Sequence, residues 1–187
     1  LLCSTASIKT GVGILKQLMP LSLCSSMNSN TEVVDIIIDD HNKGYLYHKG
    51  YRKIKENLKW PNCLIVGPGL PDNPESIKLT KEILLNYKGN SIIDAGGLLA
   101  INYKTEKFSK LPSKAILTPH YGELSAMLRI PSKVLTENTI DILIDISKRL
   151  EDRILVLKGS NVIILNGKGE FYIISNGNSL LASAGTG

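Results

Sequence analysis

The sequence predicts an α/β protein with a mostly parallel central sheet flanked by helices, and three observations carry that reading. Short β-branched runs alternate with helical stretches along the chain. Several of those runs are apolar throughout, as strands covered on both faces are, and each ends in a distinctive, mostly glycine-bearing loop. A β-hairpin near the C-terminal part completes the pattern.

Taken in order, Leu1 to Thr10 is rich in small residues and reads as a helix packed closely on the sheet. Glu32 to Asp39 (EVVDIIID) is a strand, and Tyr51 to Leu58 a short helix ended by Trp60-Pro61. Cys63 to Val66 is a continuous apolar run, hence a strand covered on both faces, which leads into Gly67-Pro68-Gly69. Asn73-Pro74 supplies an N-cap and a proline at the first helical position for a helix over Glu75 to Tyr87. Ser91 to Asp94 is the next strand, turning at Gly96-Gly97, and Ala115 to Leu117 ends in Thr118-Pro119-His120-Tyr121-Gly122-Glu123. Thr136 is an N-cap for a helix through Leu150, with Ile140, Leu143, Ile144 and Leu150 on one face. Ile154 to Leu157 is a buried strand ending at Lys158-Gly159. Val162 to Leu165 and Glu170 to Ile174, joined by Asn166-Gly167-Lys168-Gly169, form the hairpin; Ser175 to Gly187 is loop.

With 187 residues, 43% hydrophobic and 21% charged, the chain is expected to be one globular domain over residues 1–187. It opens at Leu1 without Met or a targeting signature and stops abruptly at Gly187, so it is expected to be truncated or incompletely represented at both ends. The net charge of +5 is dispersed. Its densest basic stretch, Lys49 to Lys59, is interrupted by Glu56 and lacks an aromatic platform, so no nucleic-acid partner is expected. No apolar run approaches the ~18 residues a membrane span needs. Cys3, Cys24 and Cys63 are odd in number and far apart, which points to buried, reduced thiols in a cytoplasmic protein. His41, His48 and His120 lack paired-ligand spacing, so no metal ligand is assigned.

In an open parallel sheet the carboxyl ends of the strands share one edge, where ligands bind. Here four apolar strands finish in GPG, DAGG, TPHYGE and KG. Glycine lets backbone N–H groups approach an anion without a Cβ in the way, so the ligand expected is phosphate-bearing, with Gly185-Thr186-Gly187 a further candidate anion loop. Lys158 either neutralises phosphate charge or is a surface lysine at a strand end. His120 either faces a ligand or caps a helix, and Glu123 reads first as an acid favouring a helix N-terminus. Asp94 either lies near the substrate or caps the Gly96 turn.

The order TPHYGE, strand–KG–hairpin, then NGNSLLASAGTG resembles the carboxy-terminal domain of the nucleotide-dependent NAD(P)H-hydrate dehydratases, metabolite-repair lyases of the ribokinase-like superfamily with the YjeF-type domain. The resemblance runs from about Leu1 to Gly187 and includes a GPGLG-like turn at Gly67-Pro68-Gly69-Leu70 and a DADAL-like segment at Asp94-Ala95-Gly96-Gly97-Leu98. It implies ADP- or ATP-dependent dehydration of NADHX and NADPHX back to NADH and NADPH with release of phosphate, with Mg2+ on the phosphates. It further implies that Gly69 and His120 line the hydrated-nicotinamide site. Lys158, Gly159, Ser160, Asn161 and Val162 would hold the adenosine monophosphate portion of the nucleotide, and Gly185, Thr186 and Gly187 the moving phosphoryl group, with Asn178 ordering that loop. A fused or separate NAD(P)HX epimerase and a homo-oligomeric assembly are also implied.

Two departures from the family's pattern bear on this. The family's catalytic base is the aspartate directly after GTG, and the sequence stops at Gly187, so the catalytic residue is not assigned and a chain ending there is expected to be inactive. TPHPGE has become TPHYGE, and Ser183-Ala184 precede the GTG, changes that touch rate and nucleotide preference. The competing readings are a ribokinase-like kinase of a small alcohol, such as a hydroxyethylthiazole or hydroxymethylpyrimidine, and a catalytically inert nucleotide-binding module.

Overall fold

A computed structural model describes residues 2–26, 32–101 and 108–176. The loop expected over Ser175 to Gly187 therefore falls outside them from residue 177 onward. In chain order the elements are α1 (Leu2–Lys9), β1 (Leu15–Pro20), β2 (Val33–Ile38), α2 (Tyr51–Asn57), β3 (Cys63–Val66), α3 (Pro74–Asn86) and β4 (Asn90–Ile93). They continue with β5 (Lys114–Leu117), α4 (Tyr121–Leu128), α5 (Ser132–Glu137), α6 (Thr139–Leu150), β6 (Ile154–Leu157), β7 (Val162–Asn166) and β8 (Phe171–Ile174). Short 3-10 turns cover Leu21–Ser26, His48–Gly50, Ala95–Ala100 and Phe108–Lys110.

Strands β3 to β8 form one sheet in sequence order; β3 to β6 run parallel, and β7 and β8 return antiparallel as the predicted hairpin. Because consecutive parallel strands lie side by side, right-handed crossovers send their helices to one face. Packing agrees: the in-register row Val66, Ile93, Leu117, Leu155 and Leu165 shares one buried cluster with Leu84 of α3, Leu124 and Leu128 of α4, Leu135 of α5 and Leu143, Ile146 and Leu150 of α6. Truncating such a fully buried leucine costs about 2–5 kcal/mol, so this row fixes the strand register. The alternate residues Ile65, Ile92, Ile116 and Ile154 point to the opposite face, where Ile65 is exposed and the other three are partly buried. This is the mostly parallel, helix-flanked α/β sheet closed by a hairpin that the sequence predicts.

Several expectations are corrected. The first helix forms and packs on β1, where the Ser4 hydroxyl donates to Gln17 Oε1, but no residue of it is buried, because Ile8 lies off the stripe that Leu2 and Ala6 share. Cys63 to Val66 is the edge strand, so only Val66 is buried and Ile65 stays exposed. The helix read over 136–150 is two helices broken at Asn138: Thr136 lies inside α5, where its hydroxyl donates to the Ser132 carbonyl. The buried face of α6 is Leu143, Ile146, Ser147 and Leu150, whereas Ile140 and Ile144 are exposed. Strand β1 has no counterpart in the sequence reading, since Lys16-Gln17 interrupts its apolar pattern. It pairs in parallel with β2 as a separate ribbon. Asp40, buried just after β2, ties that ribbon together by accepting from Ser22 N, Ser22 Oγ and Gly44 N at 3.1, 2.5 and 2.7 Å, and the Ser22 hydroxyl leads in drawing its carboxyl down to about 2. The cysteines are free thiols as expected but not buried ones; Cys63 is exposed on the edge strand.

Candidate functional site

The parallel ladder does not stop where the strands do. Asp94 N donates to Val66 O at 3.1 Å, Thr118 N to Ile93 O at 3.1 Å, and Lys158 N to Pro119 O at 2.8 Å, while His120 and Lys158 form a parallel bridge. Each loop is thereby held beside its neighbour's strand tip, and the four special loops share one edge, as the sequence predicts.

Side chains close the edge. Lys158 Nζ donates to Asp94 Oδ1 at 2.7 Å, and Thr118 Oγ1 donates to the same oxygen at 2.8 Å. The Lys158 and Asp94 side chains are 30% and 29% exposed, sheltered but within reach of a ligand from solvent. Burial pushes the Asp94 carboxyl up, but the bonds from Lys158 and Thr118 outweigh it and hold the group below the usual carboxylate value. The Asp94 carboxyl is therefore ionised at neutral pH.

The glycines here work mainly by close approach. A Cβ on Gly97 would lie 2.6 Å from Val66 O, and one on Gly96 2.2 Å from Leu70 O, so the GPGL and DAGG loops interlock backbone to backbone. The left-handed residue of the second loop is Ala95 (φ 45), not a glycine, whereas Gly67 and Gly69 both have positive φ (124 and 81). Gly69 is exposed next to this junction.

His120 is the N-cap of α4 in a complete capping box. Glu123 N donates to His120 Nδ1 at 3.2 Å, and His120 N donates to Glu123 Oε2 at 2.8 Å. Accepting on Nδ1 places the proton of the neutral ring on Nε2. The ring is 58% exposed, so the capping role does not withdraw it from the edge. Tyr121 opens α4, and a Cβ on Gly159 would meet its Cε2 at 2.9 Å, so the tyrosine ring lies flush against the turn after β6. That turn contains Gly159, Ser160 and Asn161, all exposed, and Val162 opens β7.

Gly69, His120 and Lys158 to Val162 are thus gathered at one edge of the sheet. Asn178, Gly185, Thr186 and Gly187 lie outside the described residues. Sequence reasoning named Asp94 without its partner; the Asp–Lys pairing spans 64 residues and leaves no local signal. The contribution of Thr118 was missed, although its place at a strand end beside a proline was visible. Among the described residues no group of three or more His, Cys, Asp or Glu gathers as metal ligands would. No helix among them is long and apolar enough to cross a membrane.

A family model described as NAD(P)H-hydrate dehydratase matches residues 1–187. Among curated relatives, the bifunctional NAD(P)H-hydrate repair enzyme of Moorella thermoacetica is 27% identical over 187 residues, covering 100% of this chain and 35% of the relative. The ADP-dependent (S)-NAD(P)H-hydrate dehydratase of Bacillus subtilis is 27% identical over 188 residues, covering 97% of this chain and 63% of the relative. The chain thus spans about a third of the bifunctional relatives and less than two thirds of the Bacillus enzyme. Among solved structures, a ribokinase-like superfamily protein of Enterococcus faecalis superposes with a TM-score of 0.75 at 19% identity, covering 100% of this chain and 61% of its own. The ADP/ATP-dependent NAD(P)H-hydrate dehydratase of Bacillus subtilis, co-crystallised with ATP and Mg2+, superposes at 0.74 with 23% identity, covering 98% and 61%.

Proposed function

The chain belongs to the NAD(P)H-hydrate dehydratase family, and we propose that the protein carrying it dehydrates NADHX and NADPHX to NADH and NADPH at the expense of ADP or ATP. The observation that carries this reading is the convergence of Gly69, Asp94, His120 and the Lys158–Val162 turn on one strand edge. A kinase of a small alcohol shares the fold, but the family model that matches the chain over residues 1–187 is that of the dehydratases.

Hydroxide is a poor leaving group and phosphate a good one, so a dehydration gains from a nucleotide. The ring hydroxyl oxygen bonds to the terminal phosphorus as the bond to the remaining nucleotide breaks. The ring C–O bond then breaks, phosphate departs with its electron pair, and loss of the neighbouring C–H proton restores the double bond of NAD(P)H. In this scheme Gly69 and His120 line the nicotinamide end, with His120 Nε2–H offered as a donor. Lys158, Gly159, Ser160, Asn161 and Val162 hold the adenosine monophosphate portion, the Lys158 ammonium opposing phosphate charge. Gly185, Thr186 and Gly187 supply backbone amides to the phosphoryl group. The hydroxyl proton goes to a base that the family resemblance places directly after the Gly185-Thr186-Gly187 loop.

Mg2+ fits as an ion carried by the nucleotide. The described residues build no cage for it, and magnesium characteristically keeps phosphate and water oxygens as most of its ligands. Bound there it would neutralise the transferring phosphates. The bifunctional relatives support a second, epimerising activity on NAD(P)HX, fused or separate, and the family resemblance a homo-oligomer working in the cytoplasm.

The test is to incubate the full-length protein with NADHX and either ADP or ATP. NADH absorbance is expected to return with one inorganic phosphate released per NADH. Phosphate retained on an organic product would favour the kinase instead, and nucleotide binding without turnover an inert binding module.

A further inference from the structure

We infer that Asp94, with Thr118 behind it, is the positioning residue for Lys158: it holds the ammonium at the strand edge before the nucleotide arrives. The inference rests on the proposed nucleotide-binding role of Lys158 and adds a residue that the sequence reading left between a substrate contact and a turn cap. A free lysine side chain is among the most mobile, and ordering it on ligand binding weakens the complex. Here the ordering is already done. Asp94 Oδ1 accepts from Lys158 Nζ at 2.7 Å, and Thr118 Oγ1 at 2.8 Å on the same oxygen fixes the carboxylate. The backbones are fixed too, by Asp94 N to Val66 O and Lys158 N to Pro119 O. A lysine ammonium has three donors, so the bond to Asp94 leaves two for an anion.

An opposing effect makes the idea testable. Asp94 is itself an anion near the phosphates, and its negative charge repels them. If that repulsion dominated, removing the charge would tighten nucleotide binding. The pair is half-sheltered rather than buried, so the field of Asp94 is screened by solvent while the tether is not. Positioning is therefore expected to win.

The experiment measures ADP and ATP affinity by calorimetry on the full-length protein and on Asp94→Asn, Asp94→Ala, Thr118→Val, Lys158→Met and the double variant Asp94→Asn/Lys158→Met. Asp94→Ala is expected to weaken binding by about 3–10-fold, the size of one side chain's ordering, with Asp94→Asn and Thr118→Val smaller. In the Lys158→Met background Asp94→Asn is expected to cost nothing more, a non-additivity that a purely structural role would not show. Unchanged or tighter binding in Asp94→Ala and Asp94→Asn, or losses that add fully to that of Lys158→Met, would overturn the inference. If Lys158→Met itself binds both nucleotides like the wild type, the nucleotide reading of Lys158 fails instead.

Discussion

Strand β6 carries a cation at each end, and the two are built to opposite specifications. Arg153, just before the strand, has a side chain only 3% exposed. It donates to the Leu150 carbonyl at 3.3 Å, the Leu111 carbonyl at 2.7 Å and Glu151 Oε2 at 2.9 Å. Lys158, just after the strand, is 30% exposed and leans on Asp94. The first stitches the α6–β6 corner to the segment leading into β5, and two of its three partners are backbone carbonyls that cannot leave. The second has donors to spare. One end of a parallel strand is built for stability and the other for ligands, and exposure and partner type tell them apart where residue chemistry does not.

The sharpest break of this contrast is Lys158→Met. Turnover with limiting nucleotide is expected to fall by about 100-fold, with a much smaller loss of stability, as kinetics and thermal unfolding on the same preparation would show. Arg153→Met should do the reverse. Leaving the Leu111 and Leu150 carbonyls without their donor is expected to cost about 2–3 kcal/mol in urea unfolding, with nucleotide affinity of the folded protein unchanged. Gly159→Ala drives a Cβ against the Tyr121 ring and is expected to weaken nucleotide binding by several-fold, about 1 kcal/mol of overpacking. Adding Tyr121→Pro, which removes the ring at a helix position that welcomes proline, should restore it.

The smallest effect is in acid. The folded-state value of Asp94 is lowered, so its contribution is complete above the ordinary carboxylate value of about 4 and is lost as pH falls through the lowered one. Nucleotide affinity is expected to be flat through neutral pH in its Asp94-dependent part and to weaken only on acidification below about 4. The same titration of Asp94→Asn should lack that acid limb.

Local signals made much of this legible. The caps at Asn73 and His120, the hairpin turn and the apolar runs of β4, β5 and β6 are written in adjacent residues, and so is the edge where the loops meet. What escaped were tertiary facts. The edge position of β3 depends on which strand lies beside it, the break at Asn138 on how α5 and α6 pack, and the pairing of β1 with β2 on a ribbon whose polar residues hide the pattern. Arg153 carries no local signal in the sequence; the two carbonyls that converge on it explain its burial. The Asp94–Lys158 bond joins two loops that the sequence had located separately and could not bring together.

Amide hydrogen exchange on the full-length protein, with and without ADP, tests the central claim most directly. Protection is expected in 66–70, 94–98, 118–121 and 158–162 together, with 110–114 and 150–154 unchanged. Protection appearing around Arg153, or divided between the two ends of the sheet, would contradict it.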